Sequence, residues 1–430
     1  MNSRINAVMH STDRRNYFFG VLNGAFTQLG MNLTQPGLVL SVLIRELGGS
    51  NALVGSLSAI RFAGWYLPQF LAASWIQPLR RKVPVAVGLE TIRVAIYAVL
   101  GFLAYSLSLS NPALLLFLLF SLFTISRLSA GMGALARTDA IGKIILPSQR
   151  ASFFAARSFF GGLFVFGAGF LVSYVLDETH GQPFPFNFAL LFGLSTLSFI
   201  LALLLFSRVK EQPGAANQPR RSLKAQLGSA PVLLKGDPTF RRYVLVRIML
   251  YMTQLAAPFY PIFALDVLGA PVSMVGFYMS AQTLARILSN LLWQRLGRTR
   301  GNFYLVKVAA LLTLTGPLLA AAMPWLMQLT GLSVERTGLL PAYLFSAVFI
   351  IAGSSQSGRS IGFMSLLLDI APDAERASYI GFVNTTLGLI SFSPILAGTL
   401  IDRIGFRPIF FTSTGLLVLG YLLALRWKTD

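Results

Sequence analysis

The chain has 430 residues, of which 55% are apolar and only 12% charged, and its mean hydropathy is +0.67. Soluble globular chains carry about 25% charged residues, so the composition excludes an ordinary soluble domain. The net charge of +20 need not mean nucleic acid, because basic residues gather in the loops of membrane proteins; no nucleic-acid partner is expected. Cysteine is absent and the two histidines, His10 and His180, fall in a tail and a loop, which excludes disulfides, thiolate metal sites and a buried His relay.

About 20 consecutive apolar residues cross a bilayer as a helix, and twelve such stretches fill the chain. Span 1 covers about Tyr17–Leu43. It is too long for a cleavable signal and reads as a retained helix. Spans 2 to 6 follow near Leu53–Ile76, Val83–Leu107, Ala113–Ala136, Phe153–Leu176 and Asn187–Phe206. The segment Ser207–Arg242, with its Gly, Pro and Gln and its surplus of Arg and Lys, has the composition of a linker. Spans 7 to 12 lie near Tyr243–Val267, Val272–Leu296, Phe303–Leu326, Leu339–Ile370, Ala377–Ile401 and Pro408–Leu425. Pro36, Pro68, Pro258 and Pro394 are expected to kink their spans.

The basic residues alternate. Arg14, Arg15, Arg80, Arg81, Lys82, Lys143, Arg150, the linker, Arg295, Arg298, Arg300, Arg376, Arg426 and Lys428 fall on one set of connections. The connections between spans 3 and 4 and between 5 and 6 have no Lys or Arg. The bias places both termini in the cytoplasm of a multi-pass plasma or inner-membrane protein. Residues 1–206 and 243–430 form two six-helix halves joined by the linker 207–242. Repetition supports this division. Arg150-Ala-Ser-Phe-Phe recurs as Arg376-Ala-Ser-Tyr-Ile, with Pro147 and Pro372 before and Gly162 and Gly388 after. Weak repeats of this kind mark transporter folds whose substrate site lies near the midplane.

The connection between spans 8 and 9 resembles the loop signature Gly-x-Leu-x-Asp-Arg-x-Gly-Arg-Arg of the major facilitator superfamily. Leu292, Arg295, Gly297 and Arg298 match it, while Asn290 replaces the first Gly and Gln294 the Asp. The connection between spans 2 and 3 is a weaker copy with Gln77 at the acidic position. A third copy runs from Gly398 through Asp402 and Arg403 to Gly405. Arg127, Gly131 and Gly133 in span 4 are similar to the family's second signature. The resemblance implies an all-α membrane protein of twelve transmembrane helices in two pseudo-symmetric halves. In the family the loop carboxylate holds the cytoplasmic side shut against basic groups. Gln77 and Gln294 supply no charge, so Asp139 and Asp369 are expected to gate instead, bonding nearby arginines or helix N-termini, alongside Arg80, Arg81, Arg295, Gly297 and Arg298. Span 5 lacks the Gly-Pro pair of the family's antiporters.

Charges inside a span cost about 2.5–3.5 kcal/mol on insertion scales and face the bundle interior or a cavity. Arg61, Arg127 and Arg359 are the deepest; Arg157 and Arg286 are also inside spans. Their guanidinium forks suit a carboxylate-bearing substrate. The bland alternative is bonding to helix-end carbonyls, or snorkelling to the interface. Gln28, Asn32, Gln254 and Gln356 join the candidate substrate set, since spans 1, 4, 7 and 10 line the cavity in the family the chain resembles, and Gln282 of span 8 and Asn384 of span 11 complete it. Interhelical hydrogen bonding is the plainer role for each. Glu90 lies three residues before Arg93, a spacing that forms a local salt bridge, and it is the candidate for proton coupling.

The expected function is secondary transport of a small organic solute by alternating access, of an anionic or amphipathic compound and with efflux ahead of uptake. The partners implied are that solute, the lipid bilayer and a proton or other coupling ion, for a monomer without cofactors. No nucleophile–base–orienter set suggests an enzyme. A lipid or lysolipid flippase and a non-transporting assembly or sensor protein remain as alternatives on the same fold.

Overall fold

The computed structural model describes residues 2–76, 78–146, 149–213, 237–331, 334–372 and 376–427, and side chains within them except those of 2–13, 70, 71, 73–75, 151, 334, 335 and 376–378. Among these residues there is no strand. The helices are α1 (Asn2–Leu33), α2 (Val39–Glu46), α3 (Asn51–Ile76), α4 (Val83–Leu107), α5 (Pro112–Ile144), α6 (Arg150–Val175) and α7 (Phe186–Ser207). After the linker come α8 (Pro238–Tyr251), α9 (Tyr260–Leu268), α10 (Met274–Thr330), α11 (Val334–Thr337), α12 (Leu340–Ile370), α13 (Arg376–Ile390), α14 (Ser393–Ile404) and α15 (Phe406–Leu425).

These helices supply twelve spans. Nine described segments, two of them the broken pairs α8–α9 and α13–α14, are long and apolar enough to cross a membrane. One of them, α10, has 57 residues, about 86 Å at 1.5 Å per residue, far beyond a ~30 Å hydrocarbon core. It holds spans 8 and 9, bent at Gly301, whose φ of 80° breaks the helical path. The predicted loop of residues 297–302 is thus mostly helical. Spans 1, 7 and 11 are each split in two. Pro36 lies in the break between α1 and α2, Pro258 in a 3-10 stretch between α8 and α9, and Pro394 at the start of α14. At Pro68, by contrast, α3 continues as a single helix. The predicted linker also overruns, since Pro238 already opens α8 with Asp237 as its cap, Phe240 N–H donating to Asp237 Oδ1 at 2.9 Å.

The chain forms two compact units. The first comprises residues 2–35, 64–168 and 182–213, the second residues 36–63, 169–181 and 237–427. The second unit therefore takes in α2, the start of α3 and the end of α6. The core of the first unit gathers Ala72, Ile76, Ala136, Ile141, Phe153 and Phe206. That of the second gathers Phe240, Tyr243, Val306, Phe363, Leu417 and Trp427. Outward-facing aromatics such as Phe102 (70% exposed) and Phe117 (67%) would form an aggregation-prone patch in water and are ordinary against lipid.

Candidate functional site

The first unit concentrates cations in its interior. Arg93 is buried on α4, with its guanidinium 4.1 Å over the Phe199 ring. The predicted salt bridge forms, Glu90 accepting from Arg93. Sequence reasoning missed the second partner, since Arg137 of α5 approaches the other oxygen of Glu90 at 3.7 Å. Glu90 and Arg137 border a small enclosed space with Asn23 of α1, whose Nδ2 donates to Ala202 O at 2.9 Å. Arg127 is buried one turn N-terminal to Gly131, between the rings of Trp65 at 5.7 Å and Phe123 at 5.9 Å.

Arg157 of α6 completes the group. Its aliphatic stem crosses the backbone of α1 where Gly24 leaves room, and any Cβ at that position would collide with it. Gln28, one turn further on, donates from Nε2 to Arg157 O at 3.2 Å, and Asn32, a turn beyond, donates to Gln28 O at 2.8 Å. The half-buried Arg157 guanidinium makes no hydrogen bond or ion pair among the described residues, and Arg137 is within its electrostatic reach. Sequence analysis left Arg157 outside its substrate set because depth along a helix does not reveal which guanidiniums find partners.

In the second unit, Arg359 of α12 bonds a neighbouring backbone. Its Nη1 donates to Leu250 O at 3.0 Å, a carbonyl beside the 3-10 segment Met252–Leu255 that interrupts span 7. Helix interruptions free carbonyls, and Ser413 serves the same purpose at Met252 O, 2.9 Å. Arg61 lies 5.3 Å over the Phe62 ring, which packs edge-on against Tyr251. Gln254, Gln282 and Asn384 are half-buried and Gln356 is exposed.

The predicted gating residues are only partly brought together. Gln77 lies outside the described residues. Arg80, Arg81, Gln294, Arg295 and Arg298 are exposed, and Gly297 continues α10. Arginines or helix N-termini are the expected partners of the two aspartates, but Asp139 pairs with Lys82 Nζ at 2.9 Å and Asp369 accepts from Asn302 Nδ2 at 2.7 Å. Both partners stand where the preceding span begins, Lys82 before span 3 and Asn302 before span 9, so the two contacts are repeats of each other. Besides Asp237 at α8, a carboxylate that does serve a helix N-terminus is Glu211, within the predicted linker. Its Oε2 accepts from the N–H groups of Lys82 (2.7 Å) and Val83 (2.8 Å) at the start of α4, and its Oε1 lies 3.3 Å from Lys143 Nζ.

A second set of polar contacts lies at the other ends of the spans, within the second unit. Arg45 of α2 pairs with Asp266 of α9 at 2.5 Å. Asp402, from the third copy of the loop signature, caps α3. Its Oδ1 accepts from Asn51 N at 3.1 Å and Asn51 Nδ2 at 2.8 Å, and its Oδ2 from Ala52 N at 3.2 Å. Gly398, one turn before Asp402, permits the approach, since a side chain there would strike the Asn51 carbonyl. No signal in the sequence pairs residues 221 or 351 positions apart. Among the described residues, no group of three or more His, Cys, Asp or Glu side chains is placed to hold a metal ion.

The family model described as Major Facilitator Superfamily matches residues 20–392, with a second match over 248–430. No curated protein matches the chain in sequence. Among solved structures, the nucleoside transporter NupG is similar at 15% identity, with a TM-score of 0.71 over 95% of this chain and 99% of that one. A bacterial homologue of the iron transporter ferroportin, in an inward-facing state, gives 14% and 0.70 over 98% and 99%. A D-xylose–proton symporter gives 16% and 0.67 over 98% of each chain. Such likenesses establish the fold, and their differing cargoes show how little the fold alone says of substrate.

Proposed function

Because this chain belongs to the major facilitator superfamily, and is a membrane transporter rather than an enzyme, we propose that it moves a small organic anion or amphipathic acid by alternating access, in the outward direction. The reading rests on one observation, that the interior of the first unit holds the guanidiniums of Arg93, Arg127 and Arg137 with the carboxylate of Glu90 among them, and the half-buried Arg157 beside them. An unpaired arginine within a span is costly and marks a functional site by default. A carboxylate or phosphate supplied by the substrate would satisfy Arg157 in a bidentate manner. Gln28 and Asn32, on the same face of α1 as Gly24, would donate to its remaining oxygens. Glu90 is the coupling candidate. A substrate anion competes with it for Arg137, the looser of its two partners, and frees it to take a proton.

Both termini are assigned to the cytoplasm by the distribution of Lys and Arg, with residues 1–206 and 243–430 as the two moving halves about the linker 207–242. The Lys82–Asp139 and Asn302–Asp369 contacts then stabilise the cytoplasmic ends of the halves, and the Arg45–Asp266 and Asp402–Asn51 contacts act at the outer ends.

The test is a thermal-stability screen of purified protein against anionic metabolites, sugars, cationic drugs and lysolipids, with Arg157→Ala and Arg127→Ala in parallel and flux into liposomes to follow. A ligand at 100 times its dissociation constant stabilises by about 2.7 kcal/mol. Stabilisation by an anion that is lost in Arg157→Ala, followed by substrate-dependent flux, is the expected result. Stabilisation by cationic or neutral compounds alone, equal in parent and variants, would make the arginines structural; a lysolipid as the sole hit would favour a flippase.

A further inference from the structure

The turn between α14 and α15 has a feature that solute transport does not use. Beside it opens a crevice of about 510 Å³, lined chiefly by Phe263, Val267, Ile404, Phe406, Arg407 and Phe411, within the ~300–1,000 Å³ typical of small-molecule sites. Val267, Ile404 and Phe411 are 44%, 56% and 38% exposed, so its apolar wall is open to the surroundings rather than closed into the core. Arg407 is the charged residue of the lining and stands on the first turn of α15. Its guanidinium lies 4.1 Å over the Trp325 ring, which is itself 48% exposed.

Depth in the bilayer follows from these groups. Exposed tryptophan concentrates at the headgroup level, where one edge of the ring is wet and the other apolar, and a stacked arginine belongs at the same level. α15 crosses once and ends near Trp427, so this turn faces the leaflet opposite the C-terminus. The acid nearest in sequence, Asp402, is occupied with Asn51 and Ala52. Neither Arg403 nor Arg407 has a carboxylate partner among the described residues. The crevice therefore joins an apolar trough open to hydrocarbon with an uncompensated cation at headgroup height, which is the chemistry of one molecule, a phospholipid.

We propose that this crevice is a phospholipid site selective for anionic headgroups, with the lipid phosphate against Arg407 and an acyl chain along Val267, Ile404 and Phe411. The N–H groups at the start of α15 reinforce the attraction for phosphate. Arg403, exposed on the preceding turn, adds a second positive charge for an anionic headgroup.

Native mass spectrometry of the delipidated full chain, titrated with phosphatidylglycerol, phosphatidylethanolamine, diacylglycerol or inorganic phosphate, tests this. Phosphatidylglycerol binds best, while diacylglycerol and inorganic phosphate are not retained. Arg407→Ala weakens phosphatidylglycerol at least about tenfold, the scale of a lost charge-assisted hydrogen bond, and Arg407→Lys by less. Val267→Trp, which fills the trough and leaves the charge in place, displaces the lipid as well, and a melting curve on each variant verifies the fold. Equal binding of diacylglycerol and phosphatidylglycerol, or unchanged phosphatidylglycerol binding in both Arg407→Ala and Val267→Trp, would overturn the proposal. Retention of inorganic phosphate alone would do the same, by showing an anion site without a lipid.

Discussion

Replacing Asp402 with Ala removes three hydrogen bonds that exist only while α14 touches the start of α3. Two of them satisfy the N–H groups of Asn51 and Ala52, at 3.1 and 3.2 Å, and the third holds the Asn51 side chain at 2.8 Å. Helix caps are worth about 0.5–2 kcal/mol and a carboxylate at a helix N-terminus adds about 0.3–1 kcal/mol. Asp402 is exposed, so solvent screens the charge, and the lower half of the combined range, about 1–2 kcal/mol, is the reasonable figure. In the proposed alternating-access cycle this contact forms in one state and not the other, so its loss is expected to shift the equilibrium between them by roughly 5–30-fold. The chain has no cysteine, and spin labels can be placed cleanly at Ser50→Cys and Arg403→Cys, both exposed and flanking the contact. Pulsed electron paramagnetic resonance then reads the fraction of molecules at short separation. Asp402→Ala lowers the ratio of short to long populations by the stated factor, and Asp402→Asn, which keeps one acceptor oxygen, lowers it by less. A distance distribution in Asp402→Ala that matches the parent, with thermal stability unchanged, would refute the gate assignment.

Glu90→Gln leaves Arg93 and Arg137 buried without their counter-ion. Breaking a buried ion pair from one side costs about 3–5 kcal/mol, so the variant melts markedly lower, and Glu90→Gln combined with Arg137→Gln recovers part of the loss; a single variant as stable as the parent would contradict the ion-pair geometry. Glu211→Ala removes the acceptor for the first N–H groups of α4 and the partner of Lys143. The expected loss is about 1–2 kcal/mol, with faster hydrogen exchange confined to the first turn of α4, and an unchanged exchange rate there would count against the cap.

The sequence announces the spans because hydrophobic length is a local property, and α4 matches its predicted ends at Val83 and Leu107. The breaks at Pro36, Pro258 and Pro394 were equally legible, proline being unable to donate to the helix ladder. Pro68 shows the limit, since a proline also sits inside an intact helix when its surroundings absorb the freed carbonyl. The Glu90–Arg93 bridge was readable for the same reason as the spans, its partners being one turn apart. Arg137 as a third member was not, because it depends on how α4 and α5 are rotated about their axes. Arg359 and Arg157 illustrate the harder case. Both are arginines within spans, yet one bonds a carbonyl freed by a break in another helix, while the guanidinium of the other makes no hydrogen bond or ion pair among the described residues. That distinction exists only after packing.

The placement of the acids sharpens the case for an anionic cargo. The chain has 15 Asp and Glu against 35 Lys and Arg. Several of the described acids are committed at the ends of helices: Glu211 at α4, Asp237 at α8, Asp402 at α3, with Asp139 and Asp369 holding Lys82 and Asn302 where the preceding span starts. None of these can reach the middle of a span without losing the N–H groups or cations it now serves. Among the described residues, the interior of the first unit is therefore left with Glu90 facing Arg93 and Arg137, and with Arg157 making no ion pair. A protein that only needed helix packing would place a neutral residue at position 157, since a buried arginine gains nothing from Gly24 beyond room for its stem. The guanidinium earns its position if a negative group arrives from outside the chain. For that reason Arg157→Gln, which keeps the bulk and removes the charge, is expected to leave the melting temperature the same or higher while abolishing anion-induced stabilisation. A fall in intrinsic stability with anion response intact would place Arg157 in the scaffold instead.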